Sequence, residues 1–283
     1  MKTVCMLLLL CVALPSELLA EPVRQAPSSQ VIGLESDSAQ TRARAILDTL
    51  MNGETEHAES LVQSLETSYP DYPLLGFIRL SPLWAKAESS YDAEKRQLIL
   101  EAGIKQLQEN IAIATIKISP SSAAHSSRQE VQQEWKLNLG LSQAFLGLAY
   151  MRTQSWLLAY RYGRQGRDTL RELIKENPNV EDAYIVLGFY EYHTGIIPFY
   201  LAWLAALVDL SGDSELGMQY IHRGIEKAPL LAPEAKRLFL IQTQTTSANA
   251  CEKKRVSSEM ARLYPKNEFF PWFTSQMLTL CPE

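Results

Sequence analysis

An all-α fold, built as a solenoid of antiparallel helix pairs, is what this sequence predicts. Leu and Ala recur at helical spacing from Thr41 to Leu280, while glycine is low at 13 of 283 residues and β-branched residues are sparse. Short breaks containing Gly, Asn or Pro separate the helical stretches. A Gly…Ala…Pro spacing also returns along the chain at repeat length, the mark of stacked helix–turn–helix units. A helix content of about 60% or more, with essentially no sheet, follows from that patterning. At 46% hydrophobic residues the chain can bury a core and is not of the disordered class. Its 27 basic and 32 acidic residues leave a net charge of −5, without the basic footprint of a nucleic-acid binder.

Residues 1–20 read as an export signal. Lys2 supplies the positive start, Val4–Leu14 an apolar run too short to span a bilayer, and Ala20 a small residue before Glu21-Pro22. Glu21–Gln40, rich in Pro, Ser and Gln, reads as a flexible leader, and residues 41–283 as the helical repeat domain. Two cysteines, Cys251 and Cys281, follow the signal; thiols in an exported protein pair, so they are expected to form a disulfide holding the C-terminal end.

The repeat frame starts with Gly53, Ala58 and Pro70. Glycine permits the tight turn, alanine lets the second helix sit close, and proline stops it. Pro73–Ala87 and Asp92–Ile118 make a helix pair with a long second member, and Ser119–Ser127 a Pro/Ser turn. Next come Leu146-Gly147-x-x-Tyr150 with Ala159, Gly163 and Gly166, ended by Asn177-Pro178. Tyr184-x-x-Leu187-Gly188 and Gly195 lead to Gly217, Ile221, Gly224 and Pro229. A last unit runs from Pro233 to Tyr264-Pro265, and Asn267–Leu280 supplies a capping helix.

These frames resemble the tetratricopeptide-repeat superfamily from about Thr41 to Leu280. The stretch Gly188-Phe189-Tyr190, Gly195-Ile196-Ile197-Pro198, Ser211–Gly217 and Leu231–Ala235 interrupts the frame with an insertion. It resembles a branch found in bacterial exported repeat proteins and in the eukaryotic tetratricopeptide 39 / inclusion-body-clearance family. The resemblance implies a non-enzymatic interaction protein whose first helix in each unit lines a concave face. The implied slots are Leu141, Ala144, Leu148 and Met151 in one unit, and Asp182, Ile185, Phe189 and Tyr192 in the next. Carboxylate-clamp members place Lys and Asn there, so recognition of chaperone C-termini is not expected. An apolar groove that takes a protein segment is.

No catalytic or cofactor motif emerges. The four histidines, His57, His125, His193 and His222, have no metal-ligand spacing, and no nucleophile elbow or phosphate loop occurs. Glu191 and His193, two apart on a helix, point away from each other. Arg161, Arg164, Arg167 and Arg171, interleaved with Asp168 and Glu172, read as a solvated outer face.

The insertion Ile196–Leu210 carries one charge, Asp209, in fifteen positions. Apolar on every side, it must be covered. Phe199–Val208 is expected to fold back as an extra helix, with Phe199, Trp203 and Leu207 as its contact stripe. The first functional expectation is thus an exported, periplasmic or secreted scaffold that binds a protein or peptide, without cofactor. Its alternative is a lipid- or membrane-surface-engaging protein that uses residues 196–210.

Overall fold

Ser38, Asp92 and Asp213 each begin a helix by accepting from its first free N–H groups. The computed structural model describes residues 38–119, 129–198 and 210–281, of which 78% are helical and none lies in a strand. In chain order the helices are α1 (Ala39–Met51), α2 (Thr55–Ser68), a helical turn (Leu75–Ile78), α3 (Ser81–Ser89) and α4 (Ala93–Ile118). Then follow α5 (Gln129–Arg152), α6 (Trp156–Glu176), α7 (Glu181–Gly195), α8 (Ser214–Lys227), α9 (Ala232–Gln242), α10 (Ala250–Leu263) and α11 (Phe269–Met277).

Proline punctuates this order. Pro70, Pro178, Pro229 and Pro265 lie one or two residues past the ends of α2, α6, α8 and α10, while Pro82 and Pro233 sit in the first turns of α3 and α9. Gly53 makes the α1–α2 turn at φ 82°, a backbone conformation that costs a side-chain-bearing residue. Three boundaries differ from expectation. Helix α1 starts at Ala39, two residues inside the expected leader, because Ser38 caps it. The single helix expected over Pro73–Ala87 is a turn followed by α3, and the capping helix is shorter, Phe269–Met277. The expected fold-back helix Phe199–Val208, with Trp203, lies outside the described residues, as does most of the Pro/Ser turn.

Two helix pairs pack at backbone contact. A Cβ added at Gly147 would sit 2.7 Å from the Gly163 nitrogen, and one at Gly166 would sit 2.7 Å from the Ala144 nitrogen, so α5 and α6 touch main chain to main chain. Gly188 and Gly217 do the same for α7 and α8; a Cβ at Gly188 would lie 2.8 Å from the Ile221 nitrogen. Larger residues anywhere along these lines would force the helices apart. Helices α4 and α5 are joined instead by a buried amide network. Asn110 donates to Asn138 Oδ1 (2.9 Å) and Ser142 Oγ (2.8 Å), and Asn138 donates back to Asn110 Oδ1 (3.2 Å). Each buried amide thereby finds partners.

The helical layer curls until its two ends meet. Tyr264 donates its hydroxyl proton to Asp48 (2.6 Å), Lys266 N–H to Asn52 Oδ1 (3.1 Å), and Asn267 Nδ2 to the Met51 carbonyl (2.7 Å). Lys266 also pairs with Glu54, whose carboxyl it holds below its ordinary range. Arg44 of α1 reaches the Pro229 carbonyl at 2.9 Å. An open solenoid leaves its first and last units apart; here they share a core in which Met51 packs with Tyr264 and Phe270. Cys251 and Cys281 are bonded, tying the start of α10 to the chain beyond α11.

Candidate ligand cavity

Where the dense pairs end, the layer encloses a cavity of about 650 Å³. Four walls form it. Helix α1 contributes Leu47, Leu50 and Met51; α3 contributes Leu83, Trp84 and Ala87; α4 contributes Ile99, Leu100 and Leu107; α9 with the residues before it contributes Leu230, Leu231 and Ile241. Phe77 and Trp84 both meet the Phe145 ring edge-on, at centroid distances of 5.0 and 5.7 Å, which fixes the aromatic end. Gly103, in the middle of α4, also borders the space, and a Cβ there would meet only Leu83 Cδ2 at 3.6 Å. Such a volume, mostly hydrocarbon with a few polar groups, is the usual form of a small-ligand site.

The charged groups of the lining, Glu88, Glu234 and Arg237, gather in one corner. Arg237 Nε and one Nη donate to the two oxygens of Glu234 at 2.8 and 2.7 Å. Its other Nη lies 3.4 Å from Glu88, whose second oxygen accepts from the Trp84 indole N–H at 3.1 Å. Arg152 stands 3.9 Å from Glu88 on the far side. The Arg237 side chain is 22% exposed. Burial alone would lower its pKa, but the Glu234 and Glu88 carboxylates outweigh that and hold it above its ordinary value. The cavity lining itself thus holds two carboxylates, Glu88 and Glu234, and one guanidinium, Arg237; Arg152 does not line it.

The residues expected to line an open groove lie elsewhere; Leu141, Asp182, Ile185 and Tyr192 are buried, and Ala144, Leu148, Met151 and Phe189 half-buried. Leu141 is 0% exposed and Ile185 2%, both inside the main core. Asp182, 4% exposed, accepts from the Leu230 and Leu231 N–H groups at 3.2 and 2.7 Å. Burial pushes its carboxyl up to about 6, against the pull of those two bonds. Tyr192 is buried and its hydroxyl accepts from the Gln244 N–H at 2.8 Å. Ala144 faces Gly166, and Leu148, Met151 and Phe189 are half-buried, the Phe189 ring stacked on His193 at 6.3 Å. The expected groove is thus corrected to a packed seam: segment 228–235 and α9 return across α7 and fill it. Phe199, Trp203 and Leu207 lie outside the described residues.

On α6 Arg161 and Arg164 are exposed, as expected, but the reading is corrected at Arg167. Arg167 is 3% exposed, donates to Asp168 and to the Tyr190 hydroxyl at 2.8 Å each, and lies over the Tyr190 ring at 5.0 Å. Arg171, partly exposed, pairs with the buried Glu191, whose other oxygen accepts from Asp213 N–H at 3.2 Å. These two arginines stitch α6 to α7. Burial lowers the pKa of His193, and its ring meets only aromatic neighbours, Phe189 and Tyr192, among the ring contacts.

Glu88, Glu234 and Arg237 were not legible as a site, because an acidic helical sequence holds many such pairs. The usable signals were Gly103 in mid-helix and Glu88 one turn after Trp84 on an apolar stripe. Among the described residues no cluster of His, Cys, Asp and Glu could hold a metal ion, and no helix is long and apolar enough to cross a membrane. No protein-family model matches the chain, and no curated protein matches it.

Proposed function

We propose that this chain is an exported, non-enzymatic protein of the tetratricopeptide-repeat type that holds an apolar ligand in the cavity walled by α1, α3, α4 and α9. The observation that carries this reading is the cavity itself: about 650 Å³ of mostly hydrocarbon wall, with few polar groups. Every charged group in that corner is paired with another, which suits retention of a ligand more than a reaction on it. The Cys251–Cys281 bond supports an oxidising, periplasmic or secreted location. The Gly–Gly helix contacts and the Gly53 turn support the repeat assignment. A protein segment, expected of the groove, would have to present an apolar side chain to this cavity, because Leu141, Asp182, Ile185 and Tyr192 are core.

Displacement of an environment-sensitive naphthylamine dye tests the proposal. The dye should fluoresce with the full chain, and that signal should weaken in Gly103→Trp, which narrows the space. Equal fluorescence from both proteins would exclude the cavity as the binding site.

A further inference from the structure

The wall that α9 gives to the cavity is held from outside its own helix. Helices α1, α4 and α8 begin at a Ser or Asp that caps them; α9 begins at Leu231, whose side chain has no oxygen to do so. Asp182 of α7 takes that part. Its Oδ1 accepts from the Leu230 and Leu231 N–H groups at 3.2 and 2.7 Å, and the Leu231 carbonyl accepts the first helical bond, from the Ala235 N–H at 2.9 Å. From another side Arg44 of α1 donates to the Pro229 carbonyl at 2.9 Å. A carboxylate and a guanidinium from two different helices thus grip the segment 228–231 that joins α8 to α9. Both leucines of that segment line the cavity, and Arg44 stands one turn before Leu47, which lines the α1 wall.

From this we infer that Asp182 and Arg44 are positioning residues for the ligand: neither lines the cavity, but together they set where the Leu230–Leu231 wall stands relative to the α1 wall. Attraction between apolar atoms falls steeply with distance, and a gap of about 0.5–1 Å already forfeits a quarter to a half of it. A wall released by that much holds an apolar ligand less well, while the helices and their core stay formed. Asp182 suits the part because it is 4% exposed, so its two bonds are sheltered from competing water. Arg44 is fixed in turn by Asp48 at 3.1 Å, which accepts from the Tyr264 hydroxyl, so the grip is tied to the closure of the two ends. The inference rests on the cavity reading above and adds which residues hold the cavity in shape.

Fluorescence titration of the full chain with N-phenyl-1-naphthylamine tests it, with circular dichroism and urea midpoints taken on each variant. Asp182→Ala should bind the dye about tenfold more weakly while it stays helical, and Asp182→Asn, which keeps an acceptor oxygen, should recover most of that loss. Arg44→Met keeps the stem and loses the donor; it should weaken binding about three- to tenfold, and it carries the test alone if Asp182→Ala does not fold. Leu173→Ala opens a hole in the main core on α6, a helix that gives no residue to the cavity lining. It should lower the urea midpoint and leave the dye affinity unchanged. Parent-level affinity in folded Asp182→Ala and Arg44→Met would overturn the positioning role and leave the cavity reading intact. An equal loss of affinity in Leu173→Ala would assign the effect to stability and overturn that role too. A parent chain that binds no dye would overturn both readings.

Discussion

The α5–α6 and α7–α8 pairs and the walls around the cavity are built from the same residue types, yet one region is packed to backbone contact and the other is hollow. Small residues decide the difference by where they fall. Gly147, Gly166, Gly188 and Gly217 each face a neighbouring main chain, so the missing side chain becomes helix–helix approach. Gly103 faces the cavity, so its missing side chain becomes space. Dense packing holds these helix pairs rigid; the hollow region keeps room at the expense of dispersion contacts its walls forgo. Asp182 joins the two, being rooted in α7 while it holds the Leu230 and Leu231 N–H groups at the cavity wall.

The largest expected effect is in the dense region. Gly217→Leu must drive a side chain into the Tyr192 main chain and should cost about 3 kcal/mol or more, read from the urea midpoint. A variant as stable as the parent would break the comparison. Next is the junction. Burial holds the Asp182 proton more tightly in the folded state, at about 6 against 3.8. The folded chain therefore binds more protons than the unfolded chain between those values, and stability should fall by about 3 kcal/mol as pH rises from about 4 through 6, then level off. Asp182→Asn, which keeps an acceptor oxygen, should flatten that slope in urea midpoints measured across the range. Smaller again, Tyr264→Phe removes the bond that closes the two ends and should cost about 1 kcal/mol without loss of helix. Smallest is Gly103→Ala, which should stabilise by roughly 0.5–1 kcal/mol because helix propensity improves and a methyl group finds room. A destabilised Gly103→Ala would mean that the cavity is not open there.

Much of the local architecture was legible. Pro70, Pro229 and Pro265 end helices as their spacing implied, Gly53 turns where a glycine was needed, and Asp213 caps α8. The cysteine pair was readable from exported-thiol logic. What escaped depends on contacts far along the chain. Leu141 and Ile185 occupy the slots of an exposed concave face, but both lie in a core that also holds Ile46, Ile78 and Leu230, a gathering of distant residues that no local pattern encodes. Arg167 looked like any surface arginine because its partner Tyr190 belongs to the next helix. A cavity is an absence of atoms, so in sequence it leaves only a glycine such as Gly103 and a stray carboxylate such as Glu88.

The meeting of the two ends has a consequence in time. Tyr264 and Asp48 are separated by 216 residues, and Asn267 and Met51 by the same distance, whereas α5–α6 and α7–α8 join neighbours in the chain. Contacts between neighbours form early, and contacts that close so long a loop form late. Helix α1 is made first but must wait for the last helices before its place is fixed. Since α1 is one wall of the cavity, that space is complete only at the final step of folding, and a chain cut short near its C-terminus would keep its rigid helix pairs without it.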